Sequence, residues 1–144
     1  MFIGIFGVLI ATWILITLRR SRKRKAAIKE LASGIDFKFL DTTLPRDLDG
    51  SGKVLARSSS FSNVIEGVRY GVRVIAFDGS VGAGGYSWER TYIAISSIPS
   101  VLPEWCQGLE AENSGEWAIL FRSPSYYFRS LMPVSELGLY LEKL

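Results

Sequence analysis

Asp47, Asp49 and Ser51 stand at alternate positions with Gly52 sixth in the series, which is how a calcium-binding EF-hand loop begins. Such a loop closes on a bidentate glutamate at its twelfth position. This chain has Ser58 there, and Pro45 opposes the helix that should lead in. The stretch 47–53 therefore reads as an Asp/Gly turn. Residues 78–85, DGSVGAGG, hold four glycines in eight. Successive backbone N–H groups in such a run can cradle a phosphate. A P-loop would continue with Lys and then Ser or Thr, and a dinucleotide fold with a helix; here Tyr86-Ser87-Trp88 follow and open a strand. The stretch 79–85 reads as a mobile hairpin tip that tolerates substitution, not as an ordinary element interior.

Cys106 is the single cysteine, and the chain has no histidine to favour its thiolate, to act as general base or to bind a metal. It reads as a small buried side chain. Trp117, Phe121, Tyr126, Tyr127 and Phe128 could line a groove, but at these spacings they read mostly as core and strand surface. Fourteen carboxylates are present without a recognisable facing pair. The expectation is a protein that is not an enzyme and needs no cofactor or metal.

The elements that must position these groups form an α+β pattern. Ile35, Phe37 and Phe39 alternate with polar residues as in a half-buried strand. A hairpin over 62–69 and 72–78 closes near Tyr70-Gly71, a third strand over 88–97 pairs with the second, and 117–122 supplies another. A closing helix begins near Pro133 or Ser135 and sets Leu137, Tyr140, Leu141 and Leu144 on one face. Consecutive strands covered by a helix predict a mainly antiparallel sheet.

Ahead of this lies an apolar run. Residues 1–18 carry no charged side chain, and 19–29 carry seven positive charges and no negative one. Eighteen helical residues span about 27 Å, which predicts a transmembrane helix over 1–18. The basic block then holds the following chain on the cytoplasmic side. The expected organisation is that helix, a basic helical linker over 19–33 ending at Gly34, and a cytoplasmic domain over 34–144. The expected localisation is the inner membrane, single-pass, with the N-terminus outside. Arg19, Arg20, Arg22, Lys23, Arg24, Lys25 and Lys29 are the candidate contacts with the bilayer surface. From Glu30 onward ten Lys/Arg stand against fourteen Asp/Glu, a net −4, so nucleic acid is not an expected partner of the folded part.

Gly34, Phe37, Asp41 and Leu44-Pro45, then Asn63-Val64-Ile65-Glu66-Gly67 with Gly71, then Val74-Ile75-Ala76-Phe77-Asp78 and Thr91, form a succession that resembles a family of uncharacterised bacterial membrane-anchored proteins. Leu102-Pro103-Glu104 and the stretch 117–141 are similar to its later part. The resemblance implies a small β-rich domain on an anchor and brings no activity with it. It departs at Gly79, where the family has Tyr after the Asp. The expected function is a non-catalytic binding or assembly domain at the cytoplasmic membrane face. The alternative is a tethered domain that binds a small ligand or a lipid headgroup.

Overall fold

A computed structural model of the chain describes residues 2–48, 52–83, 86–96, 106, 108–122 and 131–144, with side chains for all of these except 2–5, 83, 86 and 87. The apolar run, the basic block and the helix-forming sequence KAAIKELAS make one uninterrupted helix, α1 (Phe2–Gly34), 33 residues long. The Ile35 N–H donates to the Leu31 carbonyl at 3.0 Å and that of Phe37 to the Ala32 carbonyl at 2.7 Å, which closes the helix end as Asp36 turns the chain at φ 58°.

The chain then lays down β1 (Lys38–Asp41), a short α2 (Gly52–Ala56), β2 (Ser58–Arg69), β3 (Val72–Ala83), β4 (Tyr86–Ile95), β5 (Glu110–Ser114), β6 (Trp117–Phe121) and α3 (Val134–Lys143). The six strands form one antiparallel sheet in the order β1-β2-β3-β4-β6-β5. Among the described residues the architecture is α+β, an antiparallel sheet with a C-terminal helix, as the alternation of the strands predicts. The β2–β3 turn uses Tyr70 at φ 49° and Gly71 at φ 80°, both left-handed, the pairing that a tight hairpin needs.

Both faces of the sheet are covered. On one, Ile65, Val74, Ala76, Ile93, Ile95 and Leu120 lie beneath Ile28 and Ala32 of α1, Leu137 and Leu141 of α3, and Ile35, Phe37, Cys106 and Met132. On the other, Val64, Ile75, Phe77, Tyr92, Ala94, Ile119 and Phe121 are covered by Leu44, Leu48 and Leu55. The alternation of Ile75 and Phe77 against Val74 and Ala76 divides the strand between two cores, as a pleat requires.

Three sequence expectations change. Ile35 and Phe37 are buried, but the strand begins only at Lys38, because the turn at Asp36 intervenes. Residues 79–83 continue the strand and are not a hairpin tip, and Gly79 is a packing position: a Cβ there would stand 2.8 Å from Cε2 of Tyr92, whose ring lies across it. A substitution at Gly79 is therefore not free, whereas 84–85 lie outside the described residues. The sheet also has β5, which the sequence reading passed over because EAENS is polar and short.

The expectation of a bilayer span over 1–18 is overturned, and with it the single-pass inner-membrane localisation with the N-terminus outside and the domain cytoplasmic. Among the described residues no helix is long and apolar enough to cross a membrane. The apolar run whose side chains are described, 6–18, has thirteen residues. At ~1.5 Å per residue that is about 20 Å of helix against a hydrocarbon core of ~30 Å. Eighteen residues counted from Phe6 already take in Arg19, Arg20, Arg22 and Lys23.

Candidate functional site

Every fourth residue of a helix returns to nearly the same side, and Arg24, Ile28 and Ala32 form such a stripe on α1. Ile28 and Ala32 are buried against the sheet, and Leu31 lies over Gly138 of α3, its Cδ1 3.2 Å from where a Cβ would stand. Arg24 extends the stripe one turn toward the N-terminus and meets Asp78 of β3 instead of an apolar side chain. Its Nε donates to Oδ2 at 2.7 Å and its Nη2 to Oδ1 at 2.8 Å, a bidentate pair in which the side chains are 16 % and 4 % exposed.

Three further elements close on this pair. Asn63, at φ 54° in a bulge of β2, donates from Nδ2 to Asp78 Oδ2 at 2.9 Å. Thr91 of β4 donates its hydroxyl to Asp78 Oδ1 at 2.7 Å and accepts from Arg24 Nη2 at 3.0 Å and from the Met132 N–H at 3.0 Å. Arg24 Nη1 donates to the Met132 carbonyl at 2.8 Å. The carboxylate thus accepts four hydrogen bonds, and both main-chain groups of Met132, just ahead of α3, are engaged. Burial of a charge is tolerable only when it is paired and bonded this fully. A carboxylate with its lone pairs so occupied and a guanidinium against it is a structural clasp, not a free base.

The basic residues expected at a bilayer surface separate into two groups. Arg24 belongs to the clasp, and Lys25 pairs with Asp41 at 2.7 Å with its Nζ 6.0 Å from the Phe39 ring centroid. Arg19, Arg20, Arg22, Lys23 and Lys29 are exposed. For Arg19, Arg20, Arg22 and Lys23 no ion pair with another described residue is present. The apolar side chains that precede them are exposed too, Phe6, Leu9, Trp13 and Ile16 among them.

The other sequence candidates have local explanations. Asp47 of the EF-like loop pairs with Arg73, and Glu66 accepts from Arg73 Nε at 2.5 Å; Asp49 and Ser51 lie outside the described residues. Burial works against the Arg73 charge, but Glu66 and Asp47 outweigh it and raise its pKa above the usual arginine value. The guanidinium also lies 5.4 Å from the Trp117 ring centroid. Arg73 and Asp47, with Ser96, Ser114, Gly115, Glu116 and Trp117, line an open depression of about 300 Å³. Its lining is polar and apolar in nearly equal parts and its cation is already paired, unlike the mostly apolar cleft with a few convergent polar groups that small-molecule sites favour. Ser58, where the EF-hand glutamate would stand, is in β2 with its Oγ 3.4 Å from Tyr92 Oη. Cys106 is buried, and burial pushes its thiol up to about 11. Trp117 and Phe121 belong to the core; Tyr126, Tyr127 and Phe128 lie outside the described residues. Among the described residues no three His, Cys, Asp or Glu side chains group to hold a metal.

Compared with protein-family models, with curated proteins and with solved structures, the chain matches none. The site must therefore be read from its own geometry. In the sequence Arg24 is one of seven like charges. The available signal was its spacing of four from Ile28 and eight from Ala32. Its partner Asp78 is the last residue of the strand predicted over 72–78, and no local pattern pairs the two.

Proposed function

We propose that this chain is a non-catalytic assembly module whose contact element is the free half of α1. The observation that supports this reading most is the exposure of Phe6, Val8, Leu9, Ile10, Trp13, Ile14, Leu15, Ile16 and Leu18 on a helix whose other half is docked. Contiguous apolar surface of this kind marks an interaction site, and a helix apolar on every side is a buried helix in its working state. Its partner is a protein that encloses it in an apolar channel with an acidic mouth, since Arg19, Arg20, Arg22 and Lys23 stand next to the run.

A second copy of the chain is a poorer fit. A parallel pair aligned over 6–18 sets one basic block against the other, and like charges repel. An antiparallel pair sets each block beside residues 1–5 of its neighbour, which contain no acid. The test is native purification of the full chain. The expected result is a stoichiometric protein partner that is lost when Leu9, Trp13 and Ile16 are changed together to Gln. Arg20→Glu with Lys23→Glu should weaken the association. Three results would overturn the reading: a partner retained by the triple variant, no stoichiometric partner, or partition onto protein-free lipid vesicles.

A further inference from the structure

We propose that Asp78 is a positioning residue for α1: through Arg24 it fixes the direction in which the free, apolar half of the helix leaves the sheet. This rests on the reading of that half as the contact element. Arg24 is where the docked half begins, because 6–23 are all exposed and the buried stripe starts with it. Those eighteen residues form a lever of about 27 Å, so a tilt of roughly 20° at Arg24 would carry Phe6 about 9 Å sideways. Something at the pivot has to resist that tilt.

The apolar contacts of Ile28, Leu31 and Ala32 all lie on the docked side of the pivot. Hydrophobic attraction is in itself non-directional, so they hold the helix down more than they aim it. A guanidinium bonded to a carboxylate through two parallel N–H groups is planar and directional, so rotation of the helix breaks at least one of the bonds. The carboxylate is itself fixed in place. Thr91 holds Oδ1 from β4, and Asn63 holds Oδ2 from a left-handed position in a β2 bulge, where a regular strand would not place its amide. Arg24 also reaches the Met132 carbonyl, whose residue leads into α3. The helix is thus referred to three strands and to the approach of the other covering helix. Lys25–Asp41 lies beside the pivot but is exposed on both sides, the kind of pair that constrains little.

The experiment uses the full chain with spin labels on Cys introduced at Ile10, in the free half, and at Val68, exposed on β2. Cys106, the one native thiol, is replaced by Ala in every version, so that only the introduced thiols are labelled. The pulsed dipolar distance distribution should be narrow in the parent chain and about twofold broader in Asp78→Asn and in Arg24→Lys, each of which breaks the bidentate geometry. Lys25→Gln should leave it unchanged. A merely structural role would lower the melting temperature without changing the width measured well below it. Arg24→Lys keeps the charge and supplies the reading if Asp78→Asn fails to fold. An unchanged width in a folded variant, or an equally broad parent distribution, overturns the proposal. Loss of the protein partner with broadening intact would instead remove the assembly reading and leave the positioning role standing.

Discussion

The two halves of α1 differ in what the fold places opposite them. In the first half of α1, Leu9 is 61 % exposed; in the second, the side chain of Arg24 is 16 % exposed. Among the described residues the leucine has little to cover it. The arginine has a carboxylate, a threonine hydroxyl and a main-chain carbonyl within hydrogen-bond distance. Burial follows from what the fold brings opposite a side chain, and hydropathy enters only as one cost among several. The two halves also differ in how they can fail. On the proposed reading, a contact removed from the docked half should cost stability, and one removed from the free half only association.

The largest test of that contrast sets Arg24→Ala against Arg20→Ala, four residues apart on the same helix. Removing Arg24 leaves Asp78 buried without its countercharge, which should cost about 3 kcal/mol, the low end for a broken buried pair because Arg24 keeps some exposure. Arg20→Ala should change stability by less than about 0.5 kcal/mol. Equal effects in urea unfolding would erase the distinction between the halves.

A smaller contrast uses apolar residues alone. Ile28→Ala deletes buried methyl groups beside Ala32 and the sheet and should cost about 2–4 kcal/mol, while the exposed Ile14→Ala should be within ~0.5 kcal/mol of neutral. An unfolding midpoint lowered as much by Ile14→Ala would mean that the free half has cover within the monomer.

The smallest effect concerns Cys106, which shares the core that lies under the docked half. Its thiol titrates near 9.0 when unfolded and at about 11 when folded, so the folded state holds the proton more tightly. The sign follows: this contribution to stability is fully present below pH 9 and is lost as the pH rises toward 11. Alkylation of Cys106 should be slow at pH 8 and should accelerate in Arg24→Ala, where the docked half loosens, but not in Arg20→Ala. Equal rates in the two variants would separate Cys106 from the helix.

By itself the sequence determined the elements whose signal is local. The uninterrupted helix to Gly34, the β2–β3 turn at Tyr70-Gly71, the strands around Val74 and Ile93, and the helix carrying Leu137 and Leu141 all follow from periodicity or from a turn's φ requirement. Tertiary structure decided whatever depends on a neighbour distant in sequence. Gly79 lies in a strand because it pairs with Phe61 of β2 and Arg90 of β4, and the Tyr92 ring takes the space that a Cβ would fill. Glu112 of β5 accepts from the Lys53 N–H at 2.6 Å, anchoring an α2 that no local pattern announced. Arg24 is part of a clasp and not one more surface charge because Asp78 arrives 54 residues later on a strand whose pleat aims it at α1. Residue type and spacing set which conformations are cheap for a segment; the partner of a charge is set by topology, which no window of the sequence contains.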